Sequence, residues 1–236
     1  MTADFSHIGH WVFDLDNTLY PAECHLFGQI DARMTDFISE RLDIAHDEAR
    51  RIQKDYYVKY GTTLAGLMKE HRVAPDDFLD YVHDIDLSVV TENKALAAAI
   101  KALPGKRAVF TNGSAAHAER VLSKIGLSHL FSEIFDIKAA EWTPKPHRET
   151  YLKFVDACAV KPDEAAMFED LAHNLEQAHA LGMTTVLVTS TAEWFADEPS
   201  AKRPARPGDE KPGHVHHITD DLAAFLSAAK TRTAAA

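Results

Sequence analysis

A chain of 236 residues is longer than one average compact unit and shorter than two, which predicts a main domain carrying a smaller insertion. Hydrophobic residues make up 46% of it and charged residues 26%, a balance that excludes disordered and fibrous classes. A net charge of −11 disfavours nucleic acid and anionic membrane as partners, so any phosphate the protein takes must be drawn in locally.

The N-terminus, Met1-Thr-Ala-Asp-Phe-Ser-His, has neither a basic stretch nor an apolar one of the secretory kind, and no run approaches the ~18 apolar residues that span a bilayer. Cys24 and Cys158 form no C-x-x-C, which argues against a disulfide framework and a zinc site and fits a reducing cytoplasm. The first apolar run, Trp11–Leu15, predicts a buried strand. From about Glu23 to Asn93 the pattern changes: Phe27, Ile30, Met34, Phe37, Ile38 and Leu42 recur at helical spacing and no strand is evident. Residues 23–93 are therefore expected to be an all-helical insertion over the C-terminal edge of a sheet, where ligands bind in open α/β folds, and residues 1–22 and 94–236 the core.

Further strands are expected at Arg107–Thr111, Glu164–Glu169 and Thr184–Val188, with shorter ones at Ile134–Ile137 and Val215–Ile218. Helices are expected at Ala115–Ile125, Asn174–Ala180 and Asp220–Ala229, the second stopped by Gly182. Strands alternating with helices imply a parallel sheet in an α/β fold. Residues 196–213, rich in Pro, Gly and charge, read as a mobile surface loop that either approaches the helical insertion or has no role, and the tail after Lys230 as frayed.

Four motifs sit at these strand ends. In Val12-Phe-Asp14-Leu-Asp16-Asn-Thr18-Leu-Tyr20, two carboxylates follow a buried strand. Like charges so close ionise together only with a cation between them, which points to a hard divalent metal such as Mg²⁺; a plain strand-end turn is the alternative. Phe110-Thr111-Asn112-Gly113-Ser114 offers a hydroxyl and helix-start N–H groups to an anion, or is an ordinary turn and cap. Thr143-Pro144-Lys145-Pro146-His147 fixes the backbone on both sides of one lysine, aiming its ammonium where it can balance an anion, or is a surface turn before a helix. Met167-Phe-Glu169-Asp170 adds a second acidic pair, with Asn174 four residues on. Two acidic pairs at one sheet edge can complete an octahedral oxygen site.

In this order the motifs resemble the haloacid dehalogenase-like hydrolase superfamily, whose first motif is D-x-D-x-[TV], followed by a Thr or Ser, a Lys and an acidic pair. The resemblance covers nearly the whole chain and implies a Rossmann-like core with a helical cap after the first strand. It also implies that Asp14 attacks phosphorus, and that Asp16 protonates the leaving oxygen and then activates water. Thr111 and Asn112 would hold the phosphoryl oxygens and Lys145 would balance the charge. Mg²⁺ would lie on Asp14, the Asp16 carbonyl and Asp170, with Glu169 acting through a bound water and Thr18 and Asn174 supporting. A dehalogenase lacks the second aspartate, so Asp16 favours a phosphatase.

Asp-Asn-Thr-Leu-Tyr-Pro and Tyr57-Val-Lys-Tyr-Gly61-Thr-Thr-Leu-Ala-Gly66-Leu are similar to the pyrimidine 5′-nucleotidase group, implying UMP or CMP as substrate. Thr62 and Thr63 would then face the substrate, with Tyr56, Tyr57 or Tyr60 available to stack, unless these are an inter-helix turn and core tyrosines. Another small phosphate ester, a phosphotransferase or mutase, and a non-catalytic phospho-aspartate module are the competing readings. His214, His216 and His217 are expected to be surface residues, because strand alternation splits the first two from the third. His10, His25 and His147 carry no assignment.

Overall fold

The computed structural model describes residues 3–193, 198–199 and 203–231. In chain order the elements are β1 (Asp4–Phe5), β2 (His10–Phe13), α1 (Leu26–Leu42), α2 (His46–Tyr60), α3 (Thr63–His71), α4 (Pro75–Val82), α5 (Lys94–Ala102) and β3 (Lys106–Phe110). They continue with α6 (Ala115–Lys124), β4 (Glu133–Phe135), α7 (Arg148–Ala157), β5 (Ala165–Glu169), α8 (Leu175–Ala180), β6 (Thr184–Val188), β7 (His217–Thr219), α9 (Leu222–Ala228) and β8 (Lys230–Thr231).

Six strands form one parallel sheet in the order β4-β3-β2-β5-β6-β7. Residue alternation in β2 explains the layering. Trp11 and Phe13 face one helical layer with Phe168, Val121 and Leu226, while Val12 faces the other with Phe110, Phe154 and Met167. Phe13 stacks on Phe168 at 4.6 Å and Phe110 on Phe154 at 4.5 Å, ring to ring. Each such fully buried side chain contributes about 1.5–3 kcal/mol. The result is the expected α/β, Rossmann-like architecture, with all six expected strands present and boundaries shifted by no more than two residues. β1 and β8 add a small parallel pair in which Phe5 is opposite Thr231, so the chain beyond Lys230 is tied down at least that far. Residues 232–236 of the expected frayed tail lie outside the described residues.

Helices α1 to α4 leave the sheet after β2 and gather around an apolar cluster of their own, including Ile30, Phe37, Ile38, Leu67, Phe78 and Leu79. Gly61, at φ 86°, ends α2, and Thr62 caps α3 by accepting the Ala65 N–H. Gly66 lets the two helices close: a Cβ there would come 2.4 Å from the Tyr56 ring. Among the described residues no helix is long and apolar enough to cross a membrane.

Candidate active site

β2 lies between β3 and β5, so three of the four motifs emerge side by side at the C-terminal edge of the sheet. Register makes the placement definite. Phe13 is opposite Phe168 and Val109, and the Asp14 N–H bonds the Phe168 carbonyl at 2.9 Å, which sets Asp14 beside Glu169 and Phe110.

Lys145 arrives from the loop between β4 and α7 and is 2% exposed. Its Nζ donates to Asp14 Oδ1 at 2.7 Å, Glu169 Oε1 at 2.9 Å and the Phe110 carbonyl at 2.9 Å. The backbone that carries it is held by Asn112, which accepts the Lys145 N–H at 2.8 Å and donates to the Lys145 carbonyl at 3.3 Å. Thr111 is buried at the cavity wall, its Oγ1 accepting the Gly113 N–H at 2.9 Å. Asn174 donates to Glu169 Oε1 at 2.5 Å, and Glu169 Oε2 takes the Leu171 N–H at 2.8 Å. Both Glu169 oxygens are thus engaged by the protein itself.

One carboxylate oxygen each from Asp14, Glu169 and Asp170 falls within 4.8 Å of the others, and all three side chains are buried. Burial pushes the Asp14 carboxyl up to about 8 despite Lys145, with Glu169 and Asp16 adding to the rise. Burial, then Glu169 and Asp14, drive Asp170 well above the ordinary carboxylate range. Glu169 goes the other way: burial opposes its ionisation, but Lys145, Asp170 and the Leu171 N–H hold it low. Lys145 follows the same logic in reverse, with Asp14 and Glu169 outweighing burial to keep its ammonium charged. Three carboxylates against one ammonium are a donor set for a hard cation, which would favour the ionised form of each. Near them Asn17 Oδ1, Thr18 Oγ1 and Asn174 Oδ1 are buried without a hydrogen-bond partner.

Asp16 stands apart from that cluster. Its Oδ1 accepts from Tyr20 Oη at 2.6 Å and contacts His117 Nε2 at 3.0 Å, and it lines the same cavity as Asp14. Burial opposes its ionisation, but His117 and Tyr20 together hold its carboxyl below the ordinary value.

The cavity measures ≈ 160 Å³ and runs between the sheet edge and helices α1 to α4. Its helical side is apolar at Phe27, Ile30, Met34, Phe78 and Leu79 and polar at Asp31, Gln53, Lys54 and Glu198. Tyr57, Thr62 and Thr63 line it, although the Thr62 hydroxyl also caps α3 and that of Thr63 donates to the Gln53 carbonyl at 3.3 Å. Tyr60 is a correction. It is not among the lining residues: Tyr60 is the last residue of α2, and its hydroxyl donates to Glu70 of α3 on the exposed side of the two helices. Tyr56 likewise points to His71 and packs on Gly66.

The segment expected as a mobile surface loop is exposed over most of its described residues but reaches α2 and the cavity at two points. Glu198 is 6% exposed and pairs with Lys54 of α2, and Pro204 lines the cavity. Residues 196–197 and 200–202 of that segment lie outside the described residues. His214 bonds the Ala172 carbonyl at 2.7 Å, His216 contacts Thr185 at 2.8 Å, and His217 packs its ring 5.4 Å from that of Phe5. They form no metal-holding group among the described residues, where Asp14, Glu169 and Asp170 do. His117, Tyr20, His83, Asp31 and Glu198 went unread in the sequence; for His117 a signal existed, since it precedes Val121 by one turn on the buried stripe of α6.

Two curated relatives share part of the sequence. "Phosphate metabolism protein 8" of Saccharomyces cerevisiae is 30% identical over 134 residues, 52% of this chain and 41% of that protein. "Fructose-1-phosphate phosphatase YqaB" of Escherichia coli is 33% identical over 91 residues, 37% of this chain and 47% of that protein. The matched segments span less than half the length of either. Among solved structures, a HAD phosphatase from Thermococcus onnurineus superposes with a TM-score of 0.59 at 17% identity, covering 93% of this chain and 97% of the other. The L-2-haloacid dehalogenase of Xanthobacter autotrophicus gives 0.56 at 15% identity, with 93% and 97% covered, so these likenesses speak for the fold alone. The family model for haloacid dehalogenase-like hydrolases matches residues 9–182, and with the four motifs joined at one sheet edge the chain belongs to that family.

Proposed function

We propose that this chain is a Mg²⁺-dependent phosphomonoesterase that works through an aspartyl-phosphate on Asp14. The observation that carries the reading is the second carboxylate: Asp16 stands in the same cavity as Asp14, outside the acidic cluster, with a side chain 15% exposed. Displacing a halide requires no proton donor, whereas expelling an alkoxide from phosphorus does.

In the first half-reaction an Asp14 oxygen attacks phosphorus, the ester P–O bond breaks, and Asp16, whose carboxyl is low in the free protein but is raised into its protonated form by the negative charge of the bound ester, gives that proton to the departing oxygen. In the second, Asp16 takes a proton from water as that water attacks phosphorus, releasing phosphate and restoring the Asp14 carboxylate. Lys145, already on Asp14 Oδ1, offsets charge on the attacking group, while Thr111 and the backbone of Asn112 receive the phosphoryl oxygens. Asp14, Asp170 and the Asp16 carbonyl would hold Mg²⁺, which when bound supplies charge neutralisation to the transferring phosphoryl group. Thr18, Glu169 and Asn174 support that site, Glu169 by holding Lys145 in place and by reaching the cation through a bound water rather than directly.

Residues 23–93 act as the cap and select the ester. Phe27, Tyr57 and Phe78 put aromatic side chains on the cavity wall against which a base would pack, and the polar corner offers hydrogen bonds to its edge or to a ribose, which supports a pyrimidine 5′-nucleotidase acting on UMP and CMP. One relative is named as a sugar-phosphate phosphatase, so sugar phosphates belong in the same panel. The test is phosphate release from UMP, CMP, AMP, GMP, fructose 1-phosphate and phosphoglycolate, each with Mg²⁺ and with EDTA. Selective, EDTA-sensitive release from UMP and CMP is expected. Sugar-centred release would overturn the nucleotidase assignment, and no release from any ester would overturn the phosphatase.

A further inference from the structure

Asp16 must present one oxygen to the leaving group and later to water, yet an aspartate rotates about two single bonds. The structure shows what stops it. Tyr20 Oη, from the turn after β2, donates to Asp16 Oδ1 at 2.6 Å, and His117 Nε2, from the first turn of α6, meets the same oxygen at 3.0 Å. A carboxylate only accepts, so the imidazole nitrogen must be the donor. Both bonds fall on Oδ1, which leaves Oδ2 for proton exchange.

The donors are themselves fixed. Tyr20 is 3% and His117 is 1% exposed. The His83 ring, from the end of α4, lies flat on the His117 ring at 4.2 Å and 10°, and is held by Ser114 Oγ at 3.1 Å and by Arg120, which donates to the His83 carbonyl at 2.9 Å. The other nitrogen of His117 is buried without a partner, a cost accepted at a site where the Nε2–H has a charged acceptor.

We propose that Tyr20 and His117 are positioning residues for Asp16, a two-donor clamp that commits Oδ1 and aims Oδ2 at the oxygen that leaves and the water that enters. This rests on the phosphatase reading. It differs from a packing role because its effect depends on how much the leaving group needs a proton: p-nitrophenolate departs as a stabilised anion, whereas an alkoxide does not. The quantity kcat/KM reports only steps up to formation of the phospho-enzyme, so it isolates the acid step.

The experiment measures kcat/KM of the full chain with Mg²⁺ on p-nitrophenyl phosphate and on an alkyl phosphate the wild type accepts. His117→Leu is expected to lower the alkyl value roughly 10- to 100-fold, part of the 10²–10⁴-fold a placed acid supplies, and the aryl value less than about 3-fold. His117→Gln, which keeps an N–H in the place of Nε2, restores most of the alkyl value. Tyr20→Phe removes one atom, keeps the ring packing, and gives the same selective loss; it decides the matter should His117→Leu not fold. Equal losses on both esters, or an unchanged alkyl value, overturn the clamp while leaving the phosphatase standing. A wild type that hydrolyses neither ester overturns both.

Discussion

Buried charge is organised differently on the two sides of the cavity. At the sheet edge Asp14, Glu169 and Asp170 face a single ammonium, that of Lys145. Across from them, Asp31 pairs with Arg50 and Lys54, and Lys54 also pairs with Glu198, so among the described residues two carboxylates meet two cations. Gln53 and Thr35 complete that second network, Gln53 donating to the Asp31 carbonyl at 3.1 Å. That balanced network matches its charges pairwise, with Glu198 Oε2 left buried without a hydrogen-bond partner among the described residues. An unbalanced one must take up protons or a cation, and taking up a cation is what phosphoryl transfer needs.

The largest effect expected from breaking the unbalanced side is at Asp14. Asp14→Asn keeps the size of the side chain and one acceptor oxygen for Lys145, yet removes the attacking carboxylate. Phosphate release should fall roughly 10⁴-fold or more, measured on p-nitrophenyl phosphate with Mg²⁺. Turnover above a hundredth of wild type would rule out attack by this residue.

Next come the two lysines, which separate the networks by their response to metal. Lys145→Met leaves three buried carboxylates without an ammonium and should cost about 3 kcal/mol of stability, measured by denaturant titration and largely regained with Mg²⁺. Lys54→Met leaves Arg50 on Asp31 but takes the ammonium from buried Glu198, so a cost of about 3 kcal/mol is expected here too, with no recovery on adding Mg²⁺. Equal recovery in both variants would mean that the cation does not bind at the sheet edge.

The pH dependence follows from Asp14. In metal-free protein its carboxyl, ordinarily near 3.8, is raised by burial to about 8, and Asp170 moves the same way. A raised folded-state value means that the protonated form is favoured by folding. That contribution is complete below about pH 4 and is lost as pH climbs through about 8. A bound cation favours the ionised form, so Mg²⁺ should raise Tm more at pH 8 than at pH 5 in thermal melts run with Mg²⁺ or EDTA. An increment independent of pH would argue that these carboxylates are not its ligands.

The same contrast explains what the sequence could tell. Asp14, Thr111 and the Glu169–Asp170 pair are legible because each follows an apolar run, and parallel pairing puts the ends of adjacent runs together whatever the helices do. Lys145 is placed by its two prolines and the reciprocal bonds to Asn112. Nothing comparable marks the helical side. Asp31 and Thr35 alternate with Ile30, Met34 and Ile38 on α1, a pattern that reads as the border of an apolar stripe until a second helix brings Gln53 and Lys54 against it. Glu198 sits in a segment without periodicity, so its pairing with Lys54, 144 residues earlier in the chain, has no local signal. The Tyr20–Asp16 bond spans four residues and was within reach; the His117–Asp16 bond spans 101 and depends on the tertiary fold.

The smallest expected effects sharpen the helical side. Tyr56, Tyr57 and Tyr60 are equivalent in sequence terms, aromatic residues on one helix, but the structure gives only Tyr57 a place on the cavity wall. Tyr57→Ala should raise KM for the preferred ester by about 10-fold, near 1.4 kcal/mol, with kcat changed far less, because a cap contact is made equally in ground and transition states. Tyr60→Ala removes a hydroxyl bond to Glu70 and a ring beneath the Lys59 and Lys69 ammonium groups, all on the outer face of the helices. Its effect on KM should be under about 2-fold and on stability within about 0.5 kcal/mol. Steady-state kinetics of the two variants on one ester decides it. Were Tyr60→Ala to raise KM as much as Tyr57→Ala, the substrate would have to reach past the end of α2, and the cavity between cap and sheet edge would hold only its phosphate.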